Sequence, residues 1–367
     1  MQTIFDYAVI GVGAAGLSFL KQSQNNKGIK TIAIDKNIFI QKNHIFGYWD
    51  MPWTKALNAH SHQKWKTWSI INQEEEVKFF SEYHAYGIIY LDKWKEECLK
   101  NKDDLVIIES YVRNIVKKNN EIFEIILENN DVYYAYNIVD SRPVKLEKKY
   151  LKQHFLGLTI ETKYDVFDEN KLILMDFRVD QSKGIHFIYL VPFSKRKALI
   201  ESTMFSYNEE SNDWYKKSIE EYLQKFYQLK EWNIVDEEKG SIPMILVKKP
   251  KNNFINIGTM SGAMKPSSGY AMSFIQKQIS DLFKNKSLIN RKFANPHKLV
   301  DLWMDKIFLK VIASNPALAI SIFTNLGKTL NGNEFALFMS GQANTLIRLK
   351  VILKMPKKHF LKALFTI

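Results

Sequence analysis

Cysteine is almost missing from this chain. Cys98 stands alone among 367 residues, which excludes an internal disulfide and suits a reducing compartment. Long apolar runs are missing too: none approaches the roughly 18 residues of a membrane-spanning helix. The first residues pass straight into a strand pattern, without the charged, apolar and small-residue regions of a signal peptide. We therefore expect a cytoplasmic chain that is soluble or rests on the inner face of a membrane. Acidic residues vanish from Phe335 onward, whereas Arg348, Lys350, Lys354, Lys357, Lys358 and Lys362 supply positive charge there. Interleaved with Leu346, Leu349, Ile352, Leu353, Leu361, Leu364 and Phe365, these residues form a basic amphipathic surface suited to anionic headgroups. A packed C-terminal helix with a solvated lysine face is the competing explanation. Nucleic acid is not expected, because no nucleic-acid module is recognisable despite a net charge of +13. Repeats and low-complexity linkers are absent, so domains should interleave along the chain.

What is present begins at the N-terminus. Ala8, Val9 and Ile10 read as a buried strand that runs into Gly11, Gly13 and Gly16 and then a helix. A second strand, 30–34, ends at Asp35, which lies at the spacing of a dinucleotide fingerprint. Gly11 makes the tight turn, Gly13 admits pyrophosphate to the backbone, and Gly16 lets helix and strand approach. Val12, Ala14 and Ala15 complete the loop, and Asp35 accepts from the ribose hydroxyls. Placement at the start of the chain favours FAD, although the same motif holds NAD. The stretch 139–143 (VDSRP) turns sharply, so Asp140 could face the cofactor or simply make the turn. A further strand, 254–257, delivers Gly258 and a loop of small residues before a helix beginning near Gly269, another candidate cradle for pyrophosphate or flavin.

Residues 175–206 read as strands joined by a polar turn. In the last of them Leu199, Glu201, Thr203 and Phe205 share one face, which puts a single carboxylate on an apolar wall. Burial would raise its pKa and store an acid at neutral pH. An edge-strand glutamate facing water is the plainer alternative. Asp176 shares a strand face with Leu174 and Arg178, either as a second catalytic carboxylate or as a partner for Arg178. Four tryptophans, Trp49, Trp53, Trp65 and Trp68, fall within 43–68, where they could wall a long apolar ligand or merely pack. His60 and His62 lack the further ligands of a zinc site, so no metal is expected. Helical patterning appears at 213–229 and dominates from about residue 291.

Together these stretches resemble the lycopene cyclase family of flavoproteins, in particular its bacterial β-cyclase branch. The similarity is carried in order by GVGAAGLS, VDSRP, QHFLG (153–157), VFDEN (166–170), LMDFRVDQ (174–181), FIYLVPFS (187–194), ALIEST (198–203), GSIP (240–243) and KPSSGY (265–270). The resemblance implies an α/β fold. Its FAD-binding, Rossmann-like GxGxxG domain (1–75, 104–145 and 236–290) interleaves with a mixed β-sheet substrate domain (76–103 and 146–235), followed by a helical C-terminal region (291–367). It also implies that Glu201 is essential, either as the acid or as an electrostatic stabiliser. The implied reaction is a redox-neutral isomerisation of carotenoid biosynthesis. A proton adds to C2 of a ψ-end, C5=C6 attacks the cation at C1, and loss of the C6 proton leaves a β-ring. Reduced FAD would stabilise the cation, NAD(P)H would keep the flavin reduced, and the substrate would be lycopene or a similar polyene. The chain departs from the family at 43–49 (NHIFGYW), where an acid and an arginine are missing, and at Ser202, where an acid is usual. Cyclisation of another terpenoid, or a polyprenyl reductase or monooxygenase on the same fold, is the alternative.

Overall fold

The computed structural model describes residues 3–25, 28–41, 43–100, 103–118, 121–143, 146, 149–247, 252–284 and 295–365. Three β-sheets organise them. In the first, Ile4–Ile10 lies parallel to Thr31–Asp35 on one side and Val132–Asp140 on the other, and Thr31–Asp35 is parallel to Leu105–Glu109. Ala8, Val9 and Ile10 are almost wholly buried, as expected of a parallel strand covered on both faces. The antiparallel strands Val112–Lys118 and Ile122–Leu127 and the short parallel Ile255–Asn256 extend this sheet beside Val132–Asp140. The helices Ala14–Ser23 and Met272–Lys284 cover one face, burying Leu17, Phe19, Leu20, Ile275, Ile279 and Leu282 in a common cluster.

The second sheet has the order Asn233–Pro243, Lys152–Glu161, Lys197–Ser206, Ile185–Ser194, Leu172–Asp176, Thr67–Ile71, Glu76–Phe80. Period-two alternation gives it two apolar faces. Leu156, Leu158, Ile160, Ile188, Leu190, Ala198 and Ile200 meet the helix Asn212–Tyr227 on one side. On the other, Phe177, Phe187, Leu199 and Phe205 meet the C-terminal helices, with Ile307, Phe323 and Phe335 at the contact. A small third sheet, Ile45–Trp49, Tyr86–Tyr90 and Gln63–Trp65, takes its strands from either side of the 67–80 hairpin in sequence.

This is the α/β fold expected from the sequence, with a GxGxxG layer, a mixed sheet and a helical C-terminal part. Two expected boundaries are corrected. Residue 75 falls within the hairpin of Thr67–Ile71 and Glu76–Phe80, both strands of the second sheet. Residue 236 falls inside Asn233–Pro243, which pairs along Lys152–Glu161. The helix Leu91–Cys98, grouped with the substrate sheet, instead docks on the first layer through Lys21–Glu97 at 2.6 Å and Trp94 Nε1 to Ser18 Oγ at 3.1 Å. The first boundary cuts a local hairpin, whereas in the other two cases contacts distant in sequence override adjacency along the chain. The second helix over the first sheet begins at Met272, after Gly269 has taken a left-handed turn (φ 70°). The expected helical region is seen from Leu299, and its first residues, 291–294, lie outside the described set.

Candidate functional site

The glycine loop shows three separate uses of a missing side chain. Gly11 has φ 91°, and a Cβ there would stand 2.6 Å from Ser141 Oγ. At Gly16 a Cβ would meet the Gly11 carbonyl oxygen at 2.0 Å, so this glycine permits the close approach of helix to strand. A Cβ at Gly13 would have nothing within 4 Å, and Gly13 caps the helix without any side-chain hydrogen bond. With no side-chain cap, the first-turn amides, which begin at Ala14 and Ala15, are left for another acceptor, as an anion cradle requires. Asp35 is tied to this loop: its carboxylate accepts from the amides of Val12 at 2.7 Å and Asn37 at 3.0 Å. These features fit a dinucleotide cofactor.

The remaining cofactor candidates divide. Gly258 (φ 86°) lies against the loop, where its absent Cβ would be 2.9 Å from that of Ala15. Its amide is held by Gln278 Oε1 at 2.8 Å. Asp140 is engaged within the chain. Its two oxygens clamp the Arg142 guanidinium at 3.0 and 2.7 Å, and the Arg142 amide takes a further bond at 3.0 Å. Its neighbour Ser141 does the work at the loop, donating to the Gly11 carbonyl at 2.9 Å.

A cavity of about 370 Å³ lies between the loop that precedes Met272 and the second sheet. Glu201, Tyr86, Tyr189, Phe155, Phe187, Leu199, Phe205 and Glu238 line it, as do Thr259, Gly269 and Tyr270 from the loop before Met272. Glu201 is 8% exposed, and its carboxylate accepts from the Thr203 hydroxyl. Burial, reinforced by the charge of Glu238, pushes its pKa up to about 8, so it keeps its proton at neutral pH. The phenols form a chain beside it, Tyr189 to Tyr86 at 3.1 Å and Tyr86 to Tyr270 at 3.2 Å. Behind them Trp49 packs with ring centroids 4.9 Å from both Tyr86 and Tyr270. Trp49, Trp53, Trp65 and Trp68 do not line the cavity, and Trp49 supports its phenols from behind.

Asp176 is corrected as a catalytic candidate. A register shift in Leu172–Asp176 turns it to the opposite face, where it is fully buried. There it receives Arg178 at 2.9 and 2.6 Å and the Tyr222 hydroxyl at 2.8 Å. Ser202, the departure from the family pattern, also points away from the cavity, with its hydroxyl 2.9 Å from His186 Nε2.

Two features escape a sequence reading. Glu238 lines the cavity from the strand Asn233–Pro243. A signal was available, since Gly157 is paired with both Glu201 and Glu238, but only if the order of strands is known. A second cavity of about 360 Å³, lined chiefly by apolar residues of the C-terminal helices, shares Ser267, Ser268, Phe323, Leu326 and Met339 with the first. Beside it Lys265 pairs with Asp305 at 2.7 Å, both almost wholly buried, and pins the KPSSGY loop to the helix Leu299–Ser314. The outer wall of this cavity includes Trp303, Ile352, Leu353, Leu361 and Leu364, all substantially exposed. Arg348 and Lys350 are drawn into ion pairs with Asp301 and Glu334, so the basic surface is narrower than the sequence implies. Among the described residues no helix is long and apolar enough to cross a membrane, and no group of three or more His, Cys, Asp or Glu is placed to hold a metal.

Comparison with known proteins agrees with this geometry. The family model described as lycopene cyclase protein matches residues 6–358. Capsanthin/capsorubin synthase of Citrus sinensis is 23% identical over 73% of the chain and 57% of its own length. Lycopene beta-cyclase of a Paracoccus species is 27% identical over 35% of each. The matches thus span little more than half of these relatives at most. A geranylgeranyl bacteriochlorophyll reductase-like protein of Thermoplasma acidophilum shares the fold over 100% of this chain and 99% of its own (13% identity, TM-score 0.61). So does the p-nitrophenol 4-monooxygenase of Pseudomonas putida, over 98% and 99% (10% identity, TM-score 0.59).

Proposed function

Because the chain belongs to the lycopene cyclase protein family, we propose that it is an isomerase closing acyclic ψ-ends of lycopene, or a closely similar polyene, into β-rings. The observation that carries this reading is Glu201, a carboxyl that holds its proton at neutral pH on the wall of an aromatic cavity. Protonating an unactivated alkene needs an acid kept away from water, and the tertiary cation that results needs nearby negative or π density. Glu201 gives its proton to C2 as the C1=C2 electrons form the new C–H bond. The C5=C6 electrons then close the ring on C1, and the C6 proton leaves to a base. No electrons are gained or lost overall. Tyr86, Tyr189, Tyr270 and Phe187 present π faces and hydroxyl dipoles around the acid and exclude water.

FAD fits the open glycine loop. The turn from Gly11 to Gly16, with Asp35 and Gly258, would hold it, and NAD(P)H is the proposed source of its reduced form. When bound, reduced flavin supplies an electron-rich ring that favours the cation. The apolar second cavity suits the remainder of the polyene chain. Its exposed apolar wall lies beside Lys354, Lys357, Lys358 and Lys362, which supports docking on an anionic bilayer at the cytoplasmic face. The test is expression in lycopene-accumulating cells. A shift from red lycopene to yellow-orange β-carotene supports the proposal, and unchanged lycopene beside folded, flavin-loaded protein overturns it.

A further inference from the structure

Glu201 does not stand alone across the sheet. Gly157, on the strand Lys152–Glu161, is paired with Glu201 on one side and with Glu238 on the other. The two glutamates are therefore abreast on adjoining strands of a middle glycine, and both line the same cavity. Their main chains are about 10 Å apart, twice the inter-strand spacing. The glycine shortens that gap for the side chains. A Cβ at position 157 would stand 3.2 Å from Glu238 Cγ and 3.5 Å from its Oε1, so Glu238 lies over the place a side chain would occupy. A larger residue at 157 would press on Leu199, whose Cδ1 is 2.9 Å from that Cβ, and on Glu238.

The partners of Glu238 suit an ionised carboxylate. Its Oε2 accepts from the Ile45 amide at 3.2 Å and lies 3.7 Å from His44 Nδ1. Glu201 has different company: burial among aromatic groups, the Thr203 hydroxyl, and Tyr86 and Tyr270, each of which feels its charge, while Tyr189 stands between the two and feels both carboxylates. On the Glu238 side the neighbouring ionisable groups are Tyr90 and Asp236, and the groups lining the cavity that can carry positive charge are His44 and Lys239. Two carboxylates with unlike surroundings, facing one space, divide into a proton holder and an anion.

We propose that Glu238 is the positioning residue for the acid, an anion leaning across Gly157 that holds the proton on Glu201 until a polyene end occupies the cavity. Its negative charge opposes ionisation of Glu201, and the same charge favours a cation formed in the space between them. The inference rests on Glu201 as the proton donor, but it is tested without turnover. Infrared titration follows the carbonyl stretch of the protonated carboxyl, assigned to Glu201 by its loss in Glu201→Gln. In Glu238→Gln the pH midpoint of that band is expected to fall by about one unit, a tenfold loss of proton affinity. Glu238→Asp, which keeps the charge on a shorter reach, should fall between that value and wild type. A wild-type midpoint in either folded variant overturns the inference. Because the signal needs no substrate, failure of the cyclase reading would appear separately, as unchanged lycopene in cells expressing the wild type.

Discussion

Replacing Glu201 by glutamine should stabilise the protein against alkali. A glutamate in the unfolded chain titrates near 4.5, and burial beside Glu238 pushes the folded value up to about 8. The folded state thus binds the proton more tightly than the unfolded state. This contribution to stability is fully present below about pH 4.5 and is lost as pH rises through about 8. At about 1.4 kcal/mol for each tenfold difference in proton affinity, the loss between about pH 5 and pH 9 is on the order of 4 kcal/mol. Glutamine is close to isosteric, never ionises, and keeps a carbonyl to accept from the Thr203 hydroxyl. Urea unfolding of both proteins at about pH 5, 7 and 9 isolates the site, because other titrating groups contribute similarly to each. The wild type should lose stability relative to the variant as pH rises, by roughly 4 kcal/mol at the alkaline end. Parallel stability curves would refute the buried, protonated acid. A variant that retained wild-type cyclisation would refute its role as donor.

Gly13→Ala should fold normally, since nothing stands within 4 Å of the added methyl, yet co-purify with less FAD by absorbance at the flavin band. Gly16→Ala, driven into the Gly11 carbonyl, should lower the melting temperature by several degrees, corresponding to about 1–3 kcal/mol. Asp176→Asn leaves Arg178 with a weaker partner and should cost about 3 kcal/mol in urea unfolding. The fraction that remains folded should keep its turnover, because Asp176 faces away from the cavity. Reversing Lys354, Lys357, Lys358 and Lys362 to glutamate should abolish flotation with vesicles containing anionic lipid while leaving the far-UV spectrum unchanged. Equal flotation would remove the docking surface.

The glycine loop was legible because each of its constraints is local: a turn, an open cap and a close contact lie within six residues. Glu201 was legible through strand period two, which put it with Leu199 and Phe205, and the structure keeps all three on the cavity wall. Asp176 broke the same rule, since a register shift in a five-residue strand reverses which side chains face inward. Glu238 was invisible for another reason. The segment NIVDEEKGSIP lacks the apolar alternation of a half-buried strand, and its strand character comes from pairing with a partner some 80 residues away. The second cavity depends on how five C-terminal helices meet, which hydropathy along any one of them does not encode.

The buried pair of Lys265 and Asp305 carries a further consequence. It clamps the loop that shapes the Glu201 cavity onto a helix that walls the apolar one. On the proposed reaction there is one acid for a molecule with two identical ends. A half-finished polyene must back out, reverse and re-enter before its second ring can form. Whether the monocyclic intermediate escapes is then a race between that reversal and diffusion in the bilayer. A helix held rigidly to the loop makes the outcome depend on how long the protein dwells on the membrane, so salt and lipid charge should tune the ratio of singly to doubly closed product.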